Sequence, residues 1–350
     1  MPNSEIVKQD IRKFSKEQLT ELCASFGVKS FVAKQIYQWL WEKAASNFDE
    51  MTNLSKALRA QLKENFVIQK IEEDLVQKSN DGTIKTRYKL FDGHLIESVL
   101  IPVAKDNRFT VCVSSQVGCS LTCSFCATGK MKRVRNLEPG EIYDQVVEVN
   151  KQALETFDTP LSNIVFMGMG EPLLAYKNVL RSIELITSED GLNMSPRRIT
   201  VSTAGIAKMI RKLADDEVRF NLALSLHAAD DAKRNTIMPI NESNDLDSLM
   251  EALEYFYQKT KNKISYEYIS FQRFNDSLED AKMLERLCRK FPVKVNIIEY
   301  NPIDGATFER SDAHRIDAFA RYLRSKNITA TVRKSRGRDI DAACGQLANK

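Results

Sequence analysis

From residue 109 onward the chain repeats one unit: a short run of β-branched and apolar residues, a turn, then a stretch with apolar residues at helical spacing. The spacing predicts strands near 109–115, 163–169, 198–203, 219–226, 264–270 and 293–299. Helices are expected near 138–154, 174–187, 206–214, 246–259, 278–290 and 312–326, with a last strand near 328–333. Strands separated by helices lie parallel, and their right-handed crossovers curl the sheet toward a barrel. Six units fall short of the eight that close one, so the expected fold is α/β, a partial (β/α)6 TIM-like barrel.

Ahead of this series, Leu19, Leu22 and Phe26, then Val32, Ile36, Trp39 and Leu40, recur at helical spacing, with Ser15 placed to cap the first helix. Residues 1–80 are therefore read as a small N-terminal helical domain. Tyr37, Trp39 and Trp41 are expected in its core more than on a nucleic-acid surface. The runs Arg87–Phe91 and Leu95–Val103, joined by an Asp92-Gly93 turn, predict a bridging β-hairpin within 81–108. Residues 109–350 then form the barrel and its C-terminal tail. With 43% hydrophobic residues the chain can bury a full core. Its longest apolar runs, 163–169 and 221–226, fall far below the roughly 18 residues of a membrane span. The polar start, Met1 to Arg12, lacks a signal peptide's apolar segment. The expectation is a cytoplasmic protein with no membrane partner.

Seven cysteines is an odd number, and three of them, Cys119, Cys123 and Cys126, are crowded directly after the first strand of the series. This is not a secreted disulfide framework, and reduced thiols doing metal or redox work fit better. An accidental match to this spacing has odds of about 3 in 1,000. A structural zinc site would want a fourth nearby ligand, yet no Cys or His lies between residues 127 and 226. Three thiolates on a four-iron cube leave one iron open to bind a substrate's amino and carboxylate groups. Polar groups recur at the carboxyl ends of later strands: Gly168-Met-Gly-Glu-Pro172 after the second, Ser202 on the third, Ser225-Leu226-His227 after the fourth, Asn301 after the sixth. One such residue is commonly structural, whereas several facing one mouth suggest a cofactor site.

The CxxxCxxC spacing after the first strand of a partial barrel resembles the radical S-adenosylmethionine superfamily. That resemblance implies a [4Fe–4S] cluster on Cys119, Cys123 and Cys126, with S-adenosyl-L-methionine bound by Gly170, Glu171, Ser202, Ser225, Leu226, His227 and Asn301. Longer strings narrow it: Cys112-Val-Ser-Ser-Gln-Val-Gly-Cys119, Cys126-Ala-Thr-Gly129, Phe166-Met-Gly-Met-Gly-Glu-Pro-Leu-Leu174, Ser195-Pro-Arg-Arg198, Met238-Pro-Ile-Asn241 and Asp339-Ile-Asp-Ala-Ala-Cys-Gly-Gln-Leu347 together resemble the RlmN family. Members methylate C2 of an adenosine in 23S rRNA and, in some cases, of the adenosine following the anticodon in tRNA. The resemblance implies three further roles. Cys344 would carry the methyl carbon, Glu97 would accept the proton, and Cys112 would release the product, leaving a Cys112–Cys344 disulfide. An electron donor such as flavodoxin or ferredoxin is implied as well.

Two segments depart from the family pattern. The stretch between Glu97 and Cys112 is slightly long, with the extra residues near Ala104 to Asn107, and Phe271-Gln-Arg-Phe-Asn-Asp-Ser277 lacks the usual Gly. Net charge is only +4, but Lys130, Lys132, Arg133 and Arg135 follow the cysteines, and Arg333, Lys334, Arg336 and Arg338 precede Cys344. Both runs are expected to flank the mouth and to hold RNA phosphates around a flipped adenosine. Cys23 and Cys288 are expected in the core. Two alternatives remain at this stage: Cfr-type chemistry at C8, against which Pro172 argues, and an RNA-binding module with a structural metal.

Overall fold

The computed structural model describes residues 8–350, so the first seven residues of the polar start lie outside the described part. Three helices open it: α1 (Lys16–Ser25), α2 (Phe31–Trp41) and α3 (Lys56–Asn65). Ser15 caps α1 as expected, in a reciprocal box in which its hydroxyl accepts from the Gln18 amide and the Gln18 side chain accepts from the Ser15 amide. Helix α2 buries Ile36, Tyr37, Leu40 and Trp41, so the aromatics at helical spacing are core. Trp39 is half-buried beneath Lys43, whose ammonium lies 4.0 Å from its ring.

Three antiparallel strands follow: β1 (Glu72–Lys78), β2 (Ile84–Lys89) and β3 (Leu95–Val103). The hairpin is present, with one strand more than its pattern predicts. Strand β1 opens Glu-Glu-Asp and is largely exposed, so it carries no apolar alternation to read. Nor is the hairpin a separate bridge, because β3 pairs antiparallel with β4 (Arg108–Cys112), the first strand of the barrel. The extra residues near 104–107 form a surface turn in which Asn107 takes φ 44°.

The series then runs α4 (Pro139–Phe157), β5 (Asn163–Phe166), α5 (Tyr176–Thr187), β6 (Ile199–Thr203), α6 (Ala207–Asp215), β7 (Asn221–Ser225), α7 (Asp231–Ile237), α8 (Leu246–Thr260), β8 (Ile264–Ser270), α9 (Leu278–Cys288), β9 (Val293–Glu299), α10 (Ala313–Ser325) and β10 (Thr329–Arg333). Only α7, a short helix capped by Asp230, has no counterpart in the sequence pattern. The ten strands form one sheet in strict chain order, parallel from β4 to β10, whose outer strands do not pair with each other. This is the incomplete barrel that the six units imply.

Register decides which side chains face the hollow. Cross-strand partners share a face, and the pairs Val99–Cys112, Cys112–Val165, Ser202–Ala223, Ser225–Glu267 and Glu267–Asn296 trace one continuous surface. The alternate residues Val111, Ile164, Val201, Leu222, Tyr266 and Val295 are fully buried in the main hydrophobic core. The alternation Ile264-Ser-Tyr-Glu-Tyr268 in β8 therefore turns Ile264, Tyr266 and Tyr268 to the core and Ser265 and Glu267 to the concave site, where Ile269 joins them. No helix among the described residues is long and apolar enough to cross a membrane.

Candidate active site

The three clustered cysteines sit on a loop pinched at its base by a short antiparallel pair, Gln116–Val117 with Arg135–Asn136. Gly118 turns the loop at φ 72°, where a Cβ would lie 2.3 Å from the Lys132 carbonyl. The thiols are partly buried and electrostatically coupled to one another. Burial pushes Cys119 up to about 11 and raises Cys123 and Cys126 as well, so each thiol keeps its proton until a cation replaces it. Among the described residues no three such groups converge on a point the size of a single ion. A four-iron cube presents its irons at separate corners, and three partly buried thiols on one short loop are the donor set it takes.

Behind Cys123 lies a cation that the sequence reading missed. Arg234, on α7, is fully buried, and its guanidinium donates to the carbonyls of Ala204 (2.5 Å), Leu226 (3.0 Å) and Ser225 (3.2 Å), and to the Asn241 side chain. Burial lowers it only to about 10, so it remains charged at neutral pH and favours a thiolate at Cys123. Only Asn241, inside the string Met238–Asn241, hinted at this clamp on the ends of β6 and β7.

The strand-end residues gather around the same mouth. Both Glu171 oxygens accept from backbone amides, those of Leu173 (3.0 Å) and Ala204 (2.8 Å), with lone pairs left over for a further donor. Burial raises its carboxyl above the ordinary range, against those two bonds. Gly168 and Gly170 are also needed by the fold itself. A Cβ would meet the Val113 carbonyl at 2.7 Å and the Gln116 side chain at 2.5 Å, so glycine is required to let this loop close on its own neighbour. Ser202 and Ser225 place their hydroxyls 3.3 Å apart. Leu226 is buried, its amide bonded to the Glu267 carbonyl. His227 takes φ 57°, accepts the Ile269 amide at Nδ1 (3.1 Å) and stands edge-on to Phe125, with centroids 4.8 Å apart. Burial and Arg234 push its imidazole down to about 3. The departure at Phe271–Ser277 serves this residue, since the Asn275 side chain donates to the His227 carbonyl (2.6 Å).

The C-terminal tail crosses the mouth as a strap. Asp81 accepts the Gly337 amide (3.0 Å), and Asp339 accepts from Ser79 and Asn80. Farther along, the Ala127 amide donates to the Gly345 carbonyl (2.7 Å), the Thr128 hydroxyl to the Leu347 carbonyl (2.6 Å), and the Asn301 side chain to the Cys344 carbonyl (3.4 Å). The Asn301 Oδ1 has no partner. The strap thus holds Cys344 beside the cysteine loop, with one face open to solvent and its thiol raised by the protein packed around it. Cys112 is buried close enough to Cys344 for the Cys344 thiol to add to its cost of ionising, and all seven cysteines are free. Glu97 is fully buried, 3.3 Å from the Lys85 ammonium, and accepts the strap amides of Ala348 (2.9 Å) and Asn349 (3.1 Å).

Glu267 was also missed. It is buried on the concave face, accepts from Ser265 (2.8 Å) and Asn296 (2.7 Å) through one oxygen, and leaves the other unpartnered within electrostatic reach of Cys344. The signal was available: like Glu97, it is a carboxylate inside an otherwise apolar strand. The basic runs divide. Arg135 pairs with Asp92 and Glu141, and Arg338 with Glu299, while Lys132, Arg133, Arg333 and Lys334 stay exposed. Cys23 is buried and Cys288 packs partly buried against the core.

Comparison with known proteins agrees at every length scale. Residues 9–68 match the ribosomal RNA large subunit methyltransferase N-terminal domain, and residues 113–287 match the radical SAM superfamily. A probable dual-specificity RNA methyltransferase RlmN of Christiangramia forsetii is 57% identical, over 98% of this chain and 97% of its own. A dual-specificity RNA methyltransferase RlmN of Anaeromyxobacter sp. is 45% identical, over 97% and 91%. Among solved structures, a radical SAM methyltransferase from Sphaerobacter thermophilus superposes with a TM-score of 0.91 at 40% identity, covering 98% of this chain and 100% of that one.

Proposed function

Because the chain belongs to the RlmN family of RNA methyltransferases, within the radical SAM superfamily, we propose that it methylates C2 of a specific adenosine in 23S rRNA and of the adenosine following the anticodon in tRNA. C2 lies between two ring nitrogens and is electron-poor, so displacement at a methyl sulfonium cannot reach it, whereas a carbon radical can add there. When bound, a [4Fe–4S] cluster with S-adenosylmethionine supplies a radical able to take hydrogen from a methyl group. Cys119, Cys123 and Cys126 would hold the cluster. Gly170, Glu171, Ser202, Ser225, Leu226, His227 and Asn301 would hold S-adenosylmethionine, and a flavodoxin or ferredoxin would serve as reductant.

Cys344 carries the methyl carbon as an S-methyl group, which becomes bonded to C2. Glu97 then takes the C2 proton. Cys112 gives up its proton and bonds to the Cys344 sulfur while the bond between that sulfur and the transferred carbon breaks, that carbon taking up a proton. The unpaired electron left by the addition would return to the cluster, when bound, and the disulfide awaits later reduction. The observation that carries this reading is the strap, which binds the cysteine loop through Gly345 and Leu347 and Glu97 through Ala348 and Asn349, with Cys344 beside Cys112.

Cys112→Ala is expected to accumulate a covalent protein–RNA adduct, and Cys344→Ala to form none. Free turnover by either variant sinks the two-thiol reading. Nucleoside mass spectrometry of RNA from cells lacking and regaining the protein decides between C2 and C8, and between one RNA and both. Anaerobic reconstitution should give a brown protein with about four irons and four sulfides.

A further inference from the structure

The parallel strands end at the mouth and begin at an opposite rim, and that rim carries positive charge with little to balance it. Arg197 stands in the turn before β6, Arg219 just before β7, and Lys259 at the end of α8 leading to β8; together they line an open depression of ≈ 640 Å³. All three are exposed, and among the described residues the only acid in that lining is Glu217, which pairs with none of them. The contrast with the outer helices is plain, where Arg211 pairs with Glu251, Lys212 with Asp216 and Lys282 with Glu279. Arg197, Arg219 and Lys259 have no such partner among the described residues, and the three converge on one depression.

A second group adjoins the lower end of the concave face. Lys294, on β9, has its ammonium held below the ordinary value by burial first, then by the cations Arg333, Arg108 and Lys263, with Glu267 opposing. The loops that carry the first group are fixed in place. The Asn221 side chain donates to the carbonyls of Arg197 (2.8 Å) and Ile199 (3.2 Å), and the Asn262 side chain to that of Val218 (2.6 Å). Pre-positioned cations lose less freedom on binding an anion than cations on a loose loop.

The geometry points to this rim as a second RNA contact surface, which holds the phosphodiester backbone of the substrate well away from the nucleotides at the mouth. It rests on the reading of this protein as an RNA methyltransferase. None of the large exposed apolar side chains lies in the depression, so it offers no anchor for a membrane or a protein hot spot, while phosphate needs only charge and N–H donors. Strands β6 and β7 are five residues long, about 17 Å at 3.3 Å per residue. A folded RNA is large enough to touch both ends, and a short hairpin bound at the mouth is not.

The test compares the full chain with Arg197→Gln/Arg219→Gln/Lys259→Gln, a variant confined to exposed side chains. Affinity is measured against salt for a full-length tRNA, a long 23S rRNA fragment and a short stem-loop carrying the target adenosine. Each lost phosphate contact lowers the slope of log K against log salt by about 0.7–0.9. The slope for long RNA should therefore fall by about two to three, while the stem-loop binds as before and so reports an intact fold. An unchanged slope for both long RNAs overturns the inference, as does an equal loss with the stem-loop. Methylation position, read separately on the stem-loop by mass spectrometry, tests the C2 reading regardless of the rim.

Discussion

Glu97 and Lys85 form the most exacting pair in the molecule, because both are buried and their opposite charges face each other at 3.3 Å, while Glu97 Oε1 makes no hydrogen bond. Removing one partner of a buried ion pair costs about 3–5 kcal/mol, since the other is left uncompensated. Glu97→Gln should thus lose both stability and product. Adding Lys85→Met should return most of the stability, read as the urea midpoint, while methylation stays down by about 10²–10⁴, the usual range for a general base. Recovery of both would make Glu97 a structural group only. His227 gives a pH signature of its own. With its imidazole held at about 3 against an ordinary 6.5, the folded state needs the neutral form. The unfolded chain binds the proton first, so the contribution is full above pH 6.5 and is lost as pH falls toward 3, at up to about 1.4 kcal/mol per pH unit. His227→Gln, which can still accept the Ile269 amide, should flatten the fall in urea midpoint between pH 7 and 5; an unchanged slope would contradict the assignment. At this scale the cysteine triplet was legible because its spacing is local. Arg234 was not, because its partners, the carbonyls of Ala204 and of Ser225 and Leu226 and the Asn241 side chain, come from three separate stretches of chain.

Among the elements, the strap carries the most consequence. It is an irregular segment whose anchors are backbone amides and carbonyls on the cysteine loop and beside Glu97, so no hydrophobic period marks it in sequence. Truncation after Cys344 keeps the thiol and removes every anchor beyond it. The expected result is a folded protein with a lowered urea midpoint, because Glu97 loses two amide donors and Leu347 leaves the core. Methylation measured below that midpoint should fall about 10²-fold or more, since a shift of about 1 Å at a reacting group has that effect. Retained activity would show that the strap does not position Cys344. The barrel strands were legible for the opposite reason: β6 to β9 alternate polar and apolar residues, with one set facing the hollow and the other the core. β1 escaped notice because its side chains are exposed and its pairing depends on β2 alone.

Across the whole molecule, the helical start and the barrel share one core, joined where α2 meets α4. Trp41 packs edge-on against Tyr143 at 5.1 Å, and the buried Arg12 guanidinium bonds both Asp144 oxygens at 2.9 Å, with Lys70 at 2.5 Å from the same carboxylate. Gly140 is required beside it, since a Cβ there would lie 2.9 Å from the guanidinium carbon. Arg12→Ala should cost about 3–5 kcal/mol by leaving Asp144 buried with one cation instead of two, measured by urea unfolding; a loss under 1 kcal/mol would mean that the joint relaxes freely. The sequence by itself determined the incomplete barrel, the cysteine loop and the polar strand ends, because strand and helix periods and short motif spacings are set by neighbours a few residues apart. Only the tertiary structure decided that Cys344 lies beside Cys112, that Glu97 meets the strap and Lys85, that Arg234 clamps the mouth, and that unpaired cations collect at the far rim. Those facts depend on sheet register and chain return, which bring together residues whose separation along the chain carries no physical signal.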